Sequence, residues 1–264
     1  MDLTSYATFK FERRGRLLRA AFNSPATLNS IGRAAHAEIA RFFTELATDP
    51  DTDVVILSGV GRAFSAGGDL DHIQSMIDDP SIFLDDMPEV KRIVFALLDC
   101  PKPIIAKLNG HAIGLGATIA LFCDMVFASR EAKIGDPHVR VGFVAGDGGA
   151  VIWPHLIGHA RAKEYLMTGR PLMAEEAERI GLINRAVPAA DLDRIVEEFA
   201  DELLKGPMRA IQWTKLSINI GLKHLAHSVM DASVAFEALS NATRDHREAV
   251  SALREKRDPL YIGN

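Results

Sequence analysis

Two segments rich in small residues follow apolar strand-like runs and could present backbone amides to a ligand. The first runs from Gly59 to Leu70 (GVGRAFSAGGDL) and the second from Asn109 to Thr118 (NGHAIGLGAT). Glycine lets a ligand approach the backbone closely, and the second segment opens a helix whose N-terminal amides favour negative charge. Each could equally be a tight turn between strand and helix, because an isolated Gly-rich loop is a weak signal. Neither fits the phosphate-binding or the dinucleotide-binding pattern, which disfavours a nucleotide fold.

His138 and Asp147 are the side chains best suited to proton transfer. His138 ends the run Gly-Asp-Pro-His after a short predicted strand, and imidazole titrates near physiological pH. Asp147 lies in Gly-Asp-Gly-Gly at the predicted start of a helix. It could cap that helix, or a turn could bring it to His138 and give an oriented base. The sequence has no cluster with metal-ligand spacing and no Gly-x-Ser-x-Gly motif, so we expect neither a metal nor a covalent serine.

The elements that must position these residues alternate between strand and helix. A strand hairpin is predicted over 6–11 and 17–22, and then alternating helices and strands over 31–46, 53–59, 90–98, 103–108, 118–122 and 125–129. Beyond residue 146 only 183–187 reads as a strand, and helices are predicted over 148–157, 160–167, 174–180, 192–205, 208–221 and 222–244. This order predicts an α/β core over 1–200 with right-handed crossovers, and a helical region over 201–264.

The composition is that of an ordinary globular protein. The chain has 264 residues, 48% of them hydrophobic and 25% charged, with a net charge of -5. The 30 basic residues are spread along the chain, so nucleic acid is an unexpected partner. The sequence has no signal-like start and no run of apolar residues that could span a membrane, so we expect no membrane partner. Cys100 and Cys123 are isolated and predicted to be buried thiols, and the default location is cytoplasmic.

The two Gly-rich blocks, in their order and spacing, resemble the crotonase superfamily, also called the enoyl-CoA hydratase/isomerase family. The resemblance starts at Phe22-Asn23-Ser24-Pro25 with Leu28-Asn29-Ser30-Ile31, includes both blocks, and continues to Glu255-Lys256-Arg257. It implies a crotonase (ClpP-like) fold of stacked β-β-α units, assembled as a homotrimer or hexamer with C-terminal helices closing the site. The backbone amides of Ala66 and Leu115 would form an oxyanion hole that stabilises an enolate. The remaining residues expected to bind substrate are Ser65, Gly67, Asp69, Gly114, Thr118, Phe143 and Trp153.

The chain departs from the family where hydratases carry two glutamates, because Thr118 and His138 stand at those positions. Three hypotheses follow. The leading one is an acyl-CoA hydratase or isomerase in which His138 transfers the proton, with coenzyme A as part of the substrate and no other cofactor. The second is a β-diketone C–C hydrolase using His138 and Asp147, because this segment is similar to the oxocamphor hydrolase branch of the superfamily. The third is a non-catalytic acyl-binding member. Binding of coenzyme A stays open, since Ala26 replaces a basic residue that often follows the motif proline.

Overall fold

A six-stranded sheet forms the centre of the protein. The computed structural model describes residues 1–264. The strand order is β1-β2-β3-β5-β7-β10, with bounds Phe9–Arg14, Leu17–Phe22, Val54–Gly59, Ile104–Leu108, Met125–Ser129 and Arg185–Val187. β1 and β2 form the predicted antiparallel hairpin, and the other neighbours are parallel. β3 and β5 are almost continuously buried, as expected for parallel strands that are covered on both faces.

A second sheet of short strands supports the loops that were singled out in the sequence. Its order is β4-β6-β8-β9, with bounds Ala63–Ser65, His111–Ile113, Lys133–Gly135 and Leu172–Met173. β4, β6 and β8 are parallel, so their carboxyl ends meet at one edge. That edge therefore receives both Gly-rich loops and the segment that begins at Asp136. These strands have two or three residues each, and only β8, the short strand before His138, was predicted from the sequence.

Nine α-helices surround the sheets. Their bounds are Arg33–Thr48 (α1), Leu70–Asp78 (α2), Pro80–Asp99 (α3), Leu115–Phe122 (α4), Gly149–Thr168 (α5), Ala174–Arg179 (α6), Ala189–Lys205 (α7), Met208–Asn241 (α8) and Arg244–Glu255 (α9). α2 and α9 were not predicted. α3 is twice as long as predicted, since the helix continues through Pro88 instead of starting after it. α5 joins two predicted helices across a kink at Gly158, whose φ is 77°. α8 likewise joins two predicted helices.

The core has two main parts, one on each face of the large sheet. The larger cluster lies between the sheet and the helices α1, α3, α4 and α5. The smaller one packs Leu192, Val196 and Ala200 of α7 against the opposite face. α7 continues through residue 200, where the sequence predicted a domain boundary, and that division remains a prediction. None of the helices combines the length and apolar character needed to cross a membrane.

Buried polar contacts dock the long helix α8 on the core. The Lys215 ammonium donates to the Lys102 carbonyl oxygen at 2.8 Å and lies 2.7 Å from an Asp124 carboxylate oxygen. Further along, the Ser233 hydroxyl donates to the Gly146 carbonyl oxygen at 3.0 Å. The last contact brings α8 beside the loop of Asp147, so this helix contributes to the site as well as to the fold.

Candidate active site

A cavity of ≈ 630 Å³ lies at the edge where β4, β6 and β8 end. Its volume falls in the range of small-molecule sites, and its lining is mostly apolar with a few polar groups. Among the residues predicted from the sequence, the cavity is lined by Ala66, Asp69, Gly114, Leu115, His138, Phe143 and Asp147. Ser65, Gly67, Thr118 and Trp153 lie outside the lining.

The amide predicted at Ala66 is already engaged, since it donates to the Leu28 carbonyl oxygen at 2.9 Å. Gly68 forms a parallel bridge with Ile31, in which both ladder hydrogen bonds belong to Ile31. The Gly68 N–H therefore faces away from that ladder, has no acceptor, and belongs to a residue that lines the cavity. The Ala66 prediction is corrected on this ground. Residue spacing could not reveal it, because the register of the bridge decides which amide is occupied.

Leu115 is the first residue of α4, and an amide at that position has no partner within its own helix. Gly114 precedes it as the N-cap with φ 53°, a conformation that favours glycine. The facing loop needs glycine as well. Gly67 has φ 83°, and a side chain there would overlap the Ile113 carbonyl oxygen. The two loops thus approach each other backbone to backbone, and the amides of Gly68 and Leu115 border the same cavity.

Three of the predicted substrate-binding residues have structural roles. The Ser65 hydroxyl donates to the Asn29 carbonyl oxygen at 2.8 Å and accepts from the Gly67 amide at 3.1 Å. The Asp69 carboxylate caps α2 by accepting hydrogen bonds from two amides, and it accepts a third from the Ser30 hydroxyl. Burial alone would raise the pKa of Asp69, but these hydrogen bonds outweigh burial and lower it. Trp153 is fully buried and packs against Tyr165 at 6.1 Å between ring centroids. Trp153 was predicted to bind substrate, but it does not line the cavity.

His138 lies between two carboxylates. It begins a 3-10 helix that follows β8, and its Nδ1 forms a short hydrogen bond with Asp136 Oδ1. On the other side its Nε2 lies 3.6 Å from Asp147 Oδ2. The predicted meeting of His138 and Asp147 is thus confirmed in the structure, and Asp136 orients the far side of the ring. A separation of 3.6 Å is too long for a direct hydrogen bond. His138 Nε2 and Asp147 Oδ2 therefore both remain able to bond to a third oxygen placed between them.

Asp147 is held by groups from two other elements. Its Oδ1 accepts from the Thr118 hydroxyl at 3.1 Å and is 3.4 Å from the Gly149 amide. Thr118 therefore acts through Asp147 and does not face the cavity itself. The tight packing also explains the glycines of this loop. Gly148 has φ 124°, and a methyl group at Gly149 would overlap Asp136 Oδ2.

Glu237 of α8 is a cavity residue that the sequence analysis did not find. Its side chain is 4% exposed, and its Oε2 has no hydrogen-bond partner. It lies 90 residues after Asp147, so no local motif connects the two. A signal was nevertheless present. Met230, Ser233, Val234, Glu237 and Asn241 repeat at helical spacing, and an acid within the buried stripe of a helix is unusual. Asp136 was also missed as a partner of His138, although it lies in the same four-residue run.

The cluster of Asp136, His138, Asp147 and Glu237 is electrostatically coupled. Burial alone would lower the pKa of His138, but the charges of Asp136 and Asp147 raise it to about 10. Burial raises the pKa of Asp147, with the nearby Asp136 charge adding to it and His138 opposing it. Burial also raises the pKa of Glu237 well above its ordinary value, with the Asp147 charge adding to it. Near neutral pH the free site therefore holds a protonated imidazole, while burial favours the neutral form of the Glu237 carboxyl.

Asp136, His138 and Asp147 are also the residues that could hold a metal ion, since their ligand atoms lie within 4.8 Å of one another. A metal would require a neutral imidazole, whereas the two acids raise the pKa of His138. Nδ1 is moreover committed to Asp136. The group is better suited to proton transfer than to metal binding.

Comparisons with known proteins agree with this fold. The enoyl-CoA hydratase/isomerase family model matches residues 12–264. A crotonyl-CoA hydratase of Syntrophomonas wolfei is 30% identical over 260 residues, covering 98% of this chain and 99% of the relative. A crystal structure of an enoyl-CoA hydratase/isomerase from Mycobacterium paratuberculosis superposes with a TM-score of 0.87 at 33% identity, covering 93% and 98% of the two chains. A β-diketone hydrolase from the cyanobacterium Anabaena, bound to (S)-3-oxocyclohexyl acetic acid, superposes with a TM-score of 0.84 at 27% identity, covering 90% and 96%.

Proposed function

The chain belongs to the enoyl-CoA hydratase/isomerase family, and from that premise we propose that it hydrolyses a carbon–carbon bond of a β-diketone. The observation that carries the proposal is the position of His138 between Asp136 and Asp147. The structural similarity to a β-diketone hydrolase supports the same reaction.

The reaction requires water to attack one carbonyl carbon while the other carbonyl accepts the electrons of the breaking bond. His138, protonated near neutral pH, donates a hydrogen bond from Nε2 to the attacked carbonyl oxygen and keeps its proton throughout. Asp147, whose pKa is raised by burial, takes the proton of the water. The new C–O bond forms and the C–C bond then breaks, leaving a carboxylic acid and an enolate. That enolate receives the proton held on Asp147 at carbon, so one water is consumed and no proton is lost.

The amides of Gly68 and Leu115 stabilise the enolate oxygen in this scheme. Both residues line the cavity, and preorganised donors act strongly where water is excluded. A single donor of this kind contributes about 3 to 4 kcal/mol to transition-state stabilisation. The chemistry needs no resident cofactor, because proton transfer and charge stabilisation are supplied by the chain itself.

Hydration or isomerisation of an acyl-CoA is the second candidate. It uses the same oxyanion hole, with His138 as the acid and base. The similarity to a crotonyl-CoA hydratase favours it. Both reactions form an enolate that is then protonated at carbon. It requires the thioester carbonyl to reach Gly68 and Leu115, and the acyl chain to extend into the cavity.

The test is to compare turnover of a bicyclic β-diketone with turnover of crotonyl-CoA by the wild-type protein. The hydrolase proposal predicts turnover of the diketone with formation of a carboxylic acid, whereas exclusive turnover of crotonyl-CoA would favour the second candidate. His138→Gln and Asp147→Asn should each lower the rate of the true reaction roughly 100- to 10,000-fold. His155→Gln, at an exposed histidine of α5, serves as the matched control. Activity on neither substrate would favour a non-catalytic acyl-binding protein.

The assembly of the chain into a homotrimer or hexamer is part of the same proposal. α8 carries exposed apolar side chains at Trp213, Ile218 and Ile220, which a partner subunit would cover. Sedimentation of the wild-type protein and of Trp213→Glu tests it. A monomeric wild-type protein would contradict it.

A further inference from the structure

A second polar group lies on the wall of the cavity formed by α1, α2 and α3. His36 of α1, His72 of α2 and Asp86 of α3 all line the cavity, and none of them belongs to the cluster around His138. The His36 and His72 rings are 6.2 Å apart between centroids. His72 Nε2 lies 3.0 Å from Asp86 Oδ2, and Arg33 Nε lies 3.1 Å from Asp86 Oδ1.

Two buried atoms of this group lack hydrogen-bond partners. His36 Nδ1 has none, and Asp86 Oδ2 has none with acceptable hydrogen-bond geometry despite its distance to His72. Orphaned buried polar atoms are uncommon in native proteins, so each calls for an explanation. The His36 amide donates to the Gly32 carbonyl oxygen at 3.0 Å, and the other Asp86 oxygen, Oδ1, pairs with Arg33, so only the His36 ring and Asp86 Oδ2 are left without a partner.

The charge balance of the group restricts the ligand. Burial, with the nearby His72, lowers the pKa of His36 to about 4, so its imidazole is neutral near pH 7. The Asp86 charge is compensated by Arg33. A carboxylate ligand would be repelled by the charges of Asp86 and Asp69, with no unpaired cation in this group to balance it. It also could not donate a hydrogen bond to Asp86 Oδ2. A ketone could not donate either. An alcohol supplies both missing functions, since it donates one hydrogen and accepts another.

We infer that His36, His72 and Asp86 form a subsite that binds a hydroxyl group of the substrate, away from the carbonyl carbons that react at His138. The inference rests on the proposed function for the identity of the substrate skeleton. It adds a specificity element, since a site built to hydrogen-bond a substrate oxygen discriminates against the analogue that lacks it.

The experiment compares two bicyclic β-diketones that differ by one hydroxyl group on the ring remote from the dicarbonyl unit. Binding is measured by calorimetry, which needs no turnover, and cleavage is followed separately. The wild-type protein should bind the hydroxylated compound roughly tenfold more tightly, the value of one or two hydrogen bonds. His36→Phe should abolish that preference and leave the affinity for the plain diketone within about twofold. His159→Phe, at an exposed histidine of α5, is the matched control.

A second variant separates loss of the subsite from loss of the fold. His36→Asn keeps a polar group at a similar place and should retain part of the preference, while circular dichroism checks that both variants are folded. Equal affinity of the wild-type protein for the two diketones, binding of neither, or equal weakening of both by His36→Phe would overturn the inference. Binding with the expected preference but without cleavage would refute the proposed function and leave the subsite supported.

Discussion

The buried carboxyl of Glu237 should make the stability of the protein depend on pH in a defined direction. Its pKa in the folded state lies well above the ordinary value of 4.5, because burial disfavours the charged form and the Asp147 charge adds to the effect. The folded protein therefore binds this proton more tightly than the unfolded chain does. Below pH 4.5 both states are protonated and Glu237 imposes no penalty. Each pH unit between 4.5 and the raised pKa then costs about 1.4 kcal/mol of unfolding free energy.

Glu237→Gln removes this proton while keeping the size of the side chain. We expect the variant to be more stable than the wild-type protein near pH 7, with a difference that shrinks toward zero as the pH approaches 4.5. Urea unfolding midpoints measured between pH 4.5 and 8 give the difference directly. Glu202→Gln, on the exposed side of α7, is the matched control and should show no such trend. A stability difference that is the same at every pH, or a variant that is less stable throughout, would refute the reasoning.

Three further predictions concern the backbone and the docking of α8. Gly68→Pro removes the proposed oxyanion-hole amide and should lower kcat roughly 100- to 1,000-fold. Gly68→Ala keeps the amide, and its methyl group would meet only the flexible end of Ile73, so it should lower kcat far less. Equal effects of the two substitutions would contradict the assignment. Gly148→Ala combines a strained φ of 124° with overlap of Phe122 and Thr118, and should lower the free energy of unfolding by about 2 to 5 kcal/mol. Gly15→Ala, whose surroundings are empty, should lower it by only about 1 to 2 kcal/mol, and chemical unfolding of both variants measures the difference. Lys215→Met leaves Asp124 without its buried partner and should lower the free energy of unfolding by about 3 to 5 kcal/mol. Lys223→Met removes the exposed ion pair with Asp99 and should lower it by less than about 1 kcal/mol. Comparable losses would argue against the docking role of Lys215.

The sequence predicted the long, strongly patterned elements well. The strands β2, β3, β5 and β7 and the helix α1 appear within two residues of their predicted bounds, because apolar runs between turn residues identify buried strands. The first hairpin strand, β1, lies three residues later than predicted. The short strands β4 and β6 were missed for a physical reason. Three residues are too few to display a periodic pattern, and their pairing depends on partners far away in the chain.

The site divides in the same way. His138 and Asp147 were predictable, because a turn between two nearby positions can bring them together. Glu237 was not, since its approach depends on where α8 crosses the core. The choice between the Ala66 and Gly68 amides was equally beyond the sequence, because it follows from the hydrogen bond of Ala66 to Leu28 and the bridge of Gly68 to Ile31.

The electrostatics of the cluster argue against a degenerate, inactive site. If Thr118 and His138 were merely replacements left by lost function, nothing would require Asp136, Asp147 and Glu237 to remain buried around the imidazole, since burying ionisable groups is costly. The three acids instead come from different parts of the fold: Asp136 directly follows β8, Asp147 accepts from Thr118 of α4, and Glu237 belongs to α8. Perturbed pKa values gathered in a cavity beside two backbone amides are typical of catalytic sites. The arrangement therefore favours an enzyme that uses one imidazole held between two acids.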